Sequence, residues 1–326
     1  MTGRTIGVGI AACALSTLAR AGESALQRVT PQGAVLTEMS WVLIVGATLI
    51  FLFAMGLLAR AVRGDGRPAD AARWVVGGGF LFPVAVLTTL LLYTTVRSAQ
   101  LDAQRSDDAF VIGVVGKMWW WELRYRDPAS GREVMAANEL RVPVGRPVTL
   151  GLASGDVIHS FWVPALGGKV DMVPGRVHQL RFTVNAPGRY RGQCAEYCGE
   201  QHAKMAMEVV AMPAAEFDTW LAAQARHATA PADVIALRGR EVFLDQRCNA
   251  CHTVRGVSDE SAIGPDLTHL GSRLTIGAGE LPLNGETLRR WIADPQRIKP
   301  GVRMPAYHRL DDDTLRALSA YLLALR

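Results

Sequence analysis

Two long apolar runs near the N-terminus constrain the fold of this chain more than any other feature. Residues 41–58 and 74–93 contain no charged side chain. Each run is close to the roughly 20 residues that cross a bilayer as a helix. Trp41, Trp74 and Tyr93 stand at the ends of the runs, where aromatic belts lie in membrane proteins. The sequence therefore predicts two transmembrane helices.

The loop between the two runs indicates how this hairpin crosses the membrane. We expect the helices at about 39–59 and 74–95, within a segment 22–107, and Pro83 should kink the second helix. The loop carries four arginines against two aspartates, namely Arg60, Arg63, Arg67 and Arg73 against Asp65 and Asp70. Because positively charged loops stay in the cytoplasm, both termini are expected on the outer side of the membrane.

Residues 1–21 are typical of a secretory signal peptide. Arg4 precedes a short apolar run, and the Ala-Arg-Ala triplet that ends at Ala21 fits an A-x-A cleavage site. Two alternatives stay open. The segment could remain as an N-terminal helix, or the Ile-Ala-Ala-Cys sequence that ends at Cys13 could be a lipoprotein cleavage box.

The outer part of the chain divides into two compact units. Residues 108–221 contain short alternating apolar runs with Gly, Pro and Asn between them, which predicts a small β-sandwich or barrel. Residues 222–233 are an Ala-rich linker candidate, and residues 234–326 begin and end with helical patterns. The net charge is only +5 and no Lys/Arg-rich run occurs, so a nucleic-acid partner is not expected.

The first candidate site is a cluster of soft ligands at the end of the β unit. Two thiols, an imidazole and a thioether lie within twelve residues, and a second imidazole lies upstream: Cys194, Cys198, His202, Met205 and His159. This set suits copper. Both sulfurs could bridge two copper ions, with the Glu196 carbonyl completing the ligands. A zinc site or a Cys194–Cys198 disulfide are the alternatives, but zinc does not explain Met205.

The second candidate site is a haem attachment motif. Cys248, Cys251 and His252 form C-x-x-C-H, in which both thiols bind the haem covalently and the histidine binds the iron. The Pro265 carbonyl could orient this histidine. Met304 is expected as the second axial ligand, and the competitors are His269 and His308. Because c-type haems are attached outside the cytoplasm, this site agrees with the predicted topology.

Residues 38–221 resemble subunit II of the haem-copper cytochrome c oxidases. The hairpin, the Trp cluster 119–121, the segment IHSFWVP and the loop C-x-E-x-C-G-x-x-H-x-x-M occur in the family's order. The resemblance implies a cupredoxin β-barrel with a binuclear copper A site, electron entry at Trp119, and a magnesium ion on the Glu196 side chain. Trp120 and Trp121 are expected to be packing residues. The family's glutamate near the cytoplasmic end of the second span has no counterpart near Val76.

Residues 234–326 resemble class I cytochromes c, so the whole chain is similar to subunit II of caa-type oxidases. That resemblance implies electron flow from haem c to copper A and on to subunit I, which reduces oxygen and translocates protons. The implied partners are subunits I and III and a donor, either cytochrome c or a cytochrome bc complex. The implied location is the bacterial inner membrane. A nitric oxide reductase subunit and a stand-alone membrane-tethered electron carrier are the alternatives. Quinol oxidases lack the copper ligands.

Overall fold

The computed structural model comprises a helical hairpin, a two-sheet β domain and a helical C-terminal domain. It describes residues 24–64, 70–100, 108–258, 261 and 263–326. The expected signal segment 1–21 and Cys13 lie outside the described residues. The helices are α1 (Pro31–Val62), α2 (Ala71–Ala99), α3 (Ala214–Gln224), α4 (Val234–Asp245), α5 (Gly285–Ala293), α6 (Pro295–Ile298) and α7 (Asp312–Ala324).

Among the residues that the structure describes, ten strands form the β domain and two very short strands lie in the C-terminal domain. They are β1 (Phe110–Lys117), β2 (Trp120–Arg126), β3 (Glu133–Ala137), β4 (Glu139–Pro143), β5 (Pro147–Ser154), β6 (His159–Trp162), β7 (Val170–Met172), β8 (His178–Thr183), β9 (Gly188–Cys194), β10 (Ala206–Met212), β11 (Thr275–Ile276) and β12 (Leu281–Pro282).

The predicted pair of apolar helices is confirmed. Within the described ranges, α1 and α2 are the two helices long and apolar enough to cross a membrane. At 1.5 Å per residue, α1 is about 48 Å long, which exceeds the roughly 30 Å hydrocarbon core of a bilayer. The helix starts earlier than predicted because its first turns lie on the β domain. The Thr30 hydroxyl accepts from the Gly33 amide at 2.9 Å and donates to the Leu166 carbonyl at 2.7 Å.

The disturbance expected at Pro83 takes the form of a π-helical stretch within α2. Residues Trp74–Leu81 are π-helical, and the Phe82 amide donates to the Gly77 carbonyl. Proline lacks an N–H group and crowds the carbonyl four residues earlier. The wider turns just before Pro83 accommodate this while the helix continues to Ala99.

The β domain is a sandwich of two five-stranded sheets, with strand orders β3-β2-β1-β5-β8 and β4-β10-β9-β6-β7. The pairs β1/β5 and β4/β10 are parallel, and the other neighbours are antiparallel. Trp121 and Phe161 meet between the sheets, with ring centroids 5.9 Å apart and a T-shaped geometry. This arrangement confirms the predicted cupredoxin-like β fold. α3 closes one end through Phe217, whose ring lies 5.2 Å from that of Phe110.

The C-terminal domain is built on the crossing of α4 and α7. Phe243 and Tyr321 pack there with ring centroids 5.7 Å apart. A β-carbon at Gly239 would lie 1.9 Å from the Ala317 carbonyl oxygen, so only glycine allows this close approach. Asp311 caps α7 by accepting from the Thr314 amide at 2.7 Å.

Candidate copper and haem sites

The β-sheet register brings the soft ligands of the first site together. β9 ends at Cys194, a loop follows, and β10 begins at Ala206. β6 starts at His159 and pairs with β9, where Phe161 lies opposite Cys194. The distant histidine is therefore held beside the cysteine loop by the sheet.

The donor atoms of this site surround two sulfur atoms that lie 3.7 Å apart. The Cys194 sulfur lies 3.1 Å from the Glu196 carbonyl and 3.8 Å from His159 Nδ1. The Cys198 sulfur lies 3.7 Å from His202 Nδ1 and 3.8 Å from the Met205 sulfur. A disulfide requires about 2.05 Å between the sulfurs, so both cysteines are free thiols here.

Each sulfur has its own imidazole and one further donor, which makes two similar halves. Such a set of thiols, imidazoles and a thioether fits two soft metal ions that share the sulfurs. A single tetrahedral zinc ion would be saturated by the two cysteines and two histidines, and it would leave the buried Met205 sulfur without a role.

Electrostatics favour a thiolate at Cys194. The hydrogen bond from the Cys198 thiol lowers the pKa of Cys194 strongly, although burial opposes this effect. Burial also opposes protonation of His159, but its hydrogen bonds with Cys194 and Asp156 raise the pKa of this imidazole overall. The site is therefore built to hold negative charge on sulfur in a buried position.

Asp156 is a supporting residue that the sequence reasoning missed. Its Oδ1 atom lies 2.7 Å from His159 Nε2, and its Oδ2 atom accepts from the Met118 amide at 2.7 Å. The carboxylate thus fixes the tautomer of His159, so that Nδ1 faces the sulfur atoms. The D-x-x-H spacing was a signal that could have identified it.

Trp119 lies directly against the cysteine loop. Its indole Nε1 donates to the Cys198 carbonyl at 2.8 Å. Gly199 has a φ of +110°, a conformation that favours glycine. A β-carbon at this position would also lie only 3.1 Å from the Trp119 ring, so glycine suits the close approach of the loop to the indole. Trp121 is fully buried in the core, and Trp120 lies under the Lys117 ammonium at 5.1 Å.

The carboxylate of Glu196 is separate from its carbonyl contact with Cys194. It is partly exposed and forms an ion pair with Lys169 at 3.2 Å. Lys169 also pairs with Asp171 at 3.1 Å, and these two hydrogen bonds, with Asp171 the stronger, raise the pKa of the lysine.

The C-x-x-C-H residues line a cavity of about 580 Å³ in the C-terminal domain. Cys248 opens a short 3₁₀ turn, and the His252 amide donates to the Cys248 carbonyl at 3.0 Å. His252 Nδ1 donates to the Pro265 carbonyl at 2.7 Å, and burial lowers the pKa of this histidine. The imidazole is therefore held neutral, with Nε2 free to bind a metal.

Of the three candidates for the opposite axial position, Met304 alone is among the described residues that line this cavity. His269 instead donates from Nε2 to the Arg226 carbonyl at 3.1 Å. The apolar cavity between two cysteines, a neutral histidine and a methionine fits a covalently bound haem.

The cavity lined by the C-x-x-C-H residues reaches the β domain. Met118, Trp119, Trp120 and Asp156 contribute to its wall, as Cys248 and Cys251 do. The two candidate sites are thus neighbours, and Trp119 contacts both the cavity and the cysteine loop.

Comparison with known proteins identifies the family. A model described as cytochrome C oxidase subunit II, periplasmic domain, matches residues 127–212, and a cytochrome c model matches residues 236–326. Cytochrome c oxidase subunit 2 of Alkalihalophilus pseudofirmus OF4 is 36% identical over 261 residues, which are 80% of this chain and 74% of that protein. The chain belongs to the cytochrome c oxidase subunit 2 family. Membership implies copper A in the β domain and haem in the cytochrome c domain.

The similarity to subunit 2 proteins extends over nearly the full length. Cytochrome c oxidase subunit 2 of Bacillus subtilis strain 168 is 29% identical over 340 residues, covering 96% of this chain and 92% of that protein. The crystal structure of the periplasmic domain of subunit II of cytochrome oxidase (CoxB) of Bradyrhizobium japonicum is 30% identical. The matched region covers 37% of this chain and 94% of the Bradyrhizobium chain, with a TM-score of 0.34. The predicted fold class, a cupredoxin-like domain together with a cytochrome c domain, is confirmed by the two family models.

Proposed function

We propose that this chain is the electron-input subunit of a respiratory terminal oxidase and passes electrons from its haem domain to its copper domain and then to subunit I. The observation that carries the proposal is the adjacency of two donor sets in one chain. Trp119 lines the cavity that contains Cys248 and Met304, and its indole also donates to the carbonyl of Cys198 in the cysteine loop.

The donor atoms divide between two cofactors. Two copper ions would be held by six residues, namely His159, Cys194, Glu196 through its carbonyl, Cys198, His202 and Met205. Haem c would be attached through Cys248 and Cys251, and its iron would be held by His252 and Met304. When bound, these groups supply reversible one-electron oxidation and reduction.

The chain's own residues keep both sites rigid and dry. His159 is fully buried, and Asp156 holds its ring in one orientation through a 2.7 Å hydrogen bond. The Pro265 carbonyl does the same for His252. Ligands that are held in place move little when a redox centre gains or loses an electron. The reorganisation energy is then small, which favours fast electron transfer.

Trp119 is the proposed link between the two sites. Its indole lies in the cavity wall and donates to the Cys198 carbonyl at 2.8 Å. An electron that leaves the haem domain at this wall would therefore enter the copper domain beside the Cys198 loop.

The membrane part would place both domains on the outer side of the bacterial inner membrane. α1 and α2 expose apolar side chains along their lengths, which suits contact with lipid and with the helices of subunits I and III. Subunit I would reduce oxygen to water and translocate protons. The donor would be cytochrome c or a cytochrome bc complex, and the Glu196 carboxylate would share a magnesium ion with subunit I.

The proposal is tested on the complex purified from membranes through this chain. We expect co-purification of a haem-bearing membrane subunit, the near-infrared copper band of this chain and one covalent haem c per chain, and uptake of oxygen driven by reduced donor. Isolation of the chain alone with full electron-carrier function would support a tethered carrier instead. Uptake of nitric oxide in place of oxygen would indicate a nitric oxide reductase.

A further inference from the structure

The haem domain contacts the copper domain through two of its segments, one that begins at β11 and one at the end of α6. In the first, the Thr275 amide donates to Glu139 Oε1 at 3.1 Å, and the Ala278 carbonyl accepts from the Ala206 amide at 3.2 Å. In the second, the Ile298 carbonyl accepts from Lys204 Nζ at 2.6 Å. The contact is therefore a polar one, with backbone groups of the haem domain bonded across it.

Lys299 occupies the centre of this contact. The residue is 1% exposed, and its ammonium group donates to three backbone carbonyls, those of Lys204 at 2.6 Å, Trp119 at 2.8 Å and Gly277 at 3.2 Å. All three N–H donors of the lysine are thus used. Burial lowers the pKa of Lys299 to about 8, which reflects how completely the domains exclude water from it.

The three carbonyls that Lys299 binds belong to both domains, so the lysine does more than stabilise its own domain. Gly277 belongs to the haem domain, but Lys204 and Trp119 belong to the copper domain. Two of the three bonds therefore form only when the domains are in contact. Residues 234–326 contain twelve arginines and Lys299 as their single lysine, and its compact ammonium directs three donors from one nitrogen to the three converging carbonyls.

The carbonyls that Lys299 binds lie next to the proposed redox ligands. Lys204 directly precedes Met205, and the Trp119 indole is bonded to the Cys198 carbonyl. On its own side, Lys299 lies five residues before Met304. One side chain thus connects the methionine loop of the haem domain with the copper loop and with Trp119.

We propose that Lys299 is the positioning residue that holds the haem domain against the copper domain for electron transfer within the chain. This inference rests on the proposed function. One electron leaves the haem domain and enters the copper domain, and Lys299 itself gains or loses nothing. Its role is to keep the haem cavity wall and the copper loop at one fixed separation.

The test uses the complete oxidase complex under anaerobic conditions, with one electron injected photochemically into the haem domain. Lys299→Met keeps an unbranched side chain, one atom shorter than lysine, and removes all three donors. We expect about a tenfold slower internal transfer, because the two bonds between domains each contribute a few-fold to the population in contact. Arg309→Met, which removes an exposed positive charge from the same domain, is the matched control and should leave the rate unchanged.

A second readout does not depend on redox activity. The amides of Ala206 and Thr275 are bonded across the contact, so their hydrogen exchange should accelerate in Lys299→Met and stay at the wild-type rate in Arg309→Met. The haem and copper absorption bands should be those of the wild type in both variants. If Lys299→Met fails to assemble, Lys299→Gln, which retains two N–H donors, should give an intermediate rate.

Wild-type transfer and exchange rates in an assembled Lys299 variant would overturn the role of Lys299 and leave the proposed function intact. Absence of internal transfer in the wild-type complex would instead overturn the proposed function. The two failures are therefore distinguishable in one series of measurements.

Discussion

Substitution of Asp156 by asparagine tests how the copper site is held. One carboxylate oxygen lies 2.7 Å from His159 Nε2, and the other accepts from the Met118 amide at 2.7 Å. A carboxamide has one acceptor oxygen and one NH₂ group, so it can serve only one of these two N–H groups. Either His159 loses its partner, or the Met118 amide faces another donor.

The expected effect is a loss of copper affinity. Residues that orient a metal-binding histidine typically contribute about 10–100-fold to affinity, or about 1.4–2.8 kcal/mol. The assay equilibrates the purified complex with increasing concentrations of a copper chelator and follows the near-infrared copper band, with the haem c band as the internal reference. Asp156→Asn should lose the copper band at about 10–100-fold lower chelator concentration.

Asp218→Asn is the matched control. Asp218 is exposed and pairs with Arg146 at 2.8 Å, an interaction worth less than about 1 kcal/mol, and it lies outside the copper site. Its titration should coincide with that of the wild type. If the Asp156→Asn titration coincides with it as well, Asp156 does not support His159 and the reasoning fails.

Three further substitutions test separate parts of the molecule. Met205→Leu should alter the near-infrared copper band without changing the haem c spectrum, and an unchanged band would remove Met205 from the ligands. Met304→Ala should abolish the weak sulfur-to-iron band near the red end of the haem spectrum, and its persistence would indicate another axial ligand. Gly239→Ala should destabilise the haem domain by about 1–3 kcal/mol in denaturant unfolding, because its β-carbon would lie 1.9 Å from the Ala317 carbonyl oxygen. Gly285→Ala has space for a β-carbon, and equal destabilisation there would contradict the packing argument.

The parts of the fold that the sequence predicts well are those encoded locally. The apolar runs beginning at Trp41 and Trp74 predict helices because no charge interrupts them. The cysteine loop and the C-x-x-C-H motif predict their sites because short spacings bring the donor atoms together. His159 is predicted only through the family resemblance and the soft-ligand set, since the sheet register places it beside Cys194.

The features that sequence reasoning missed depend on contacts between distant segments. Lys299 follows a short helix in the haem domain, and nothing near it in sequence indicates that it meets Trp119. Glu139 binds amides at residues 274 and 275 for the same reason. The early start of α1 at Pro31 reflects its packing on the β domain, and the π-helical turns before Pro83 show how the helix adapts rather than breaks.

The central claim is that one chain carries an electron from its haem domain to its copper domain. The most direct measurement injects a single electron photochemically into the haem domain of the wild-type anaerobic complex and records both absorption bands with time. We expect the reduced haem c signal and the near-infrared copper band to decay together, with one rate constant that does not change with protein concentration. Decay of the haem signal without loss of the copper band, or a rate constant that rises in proportion to concentration, would contradict it.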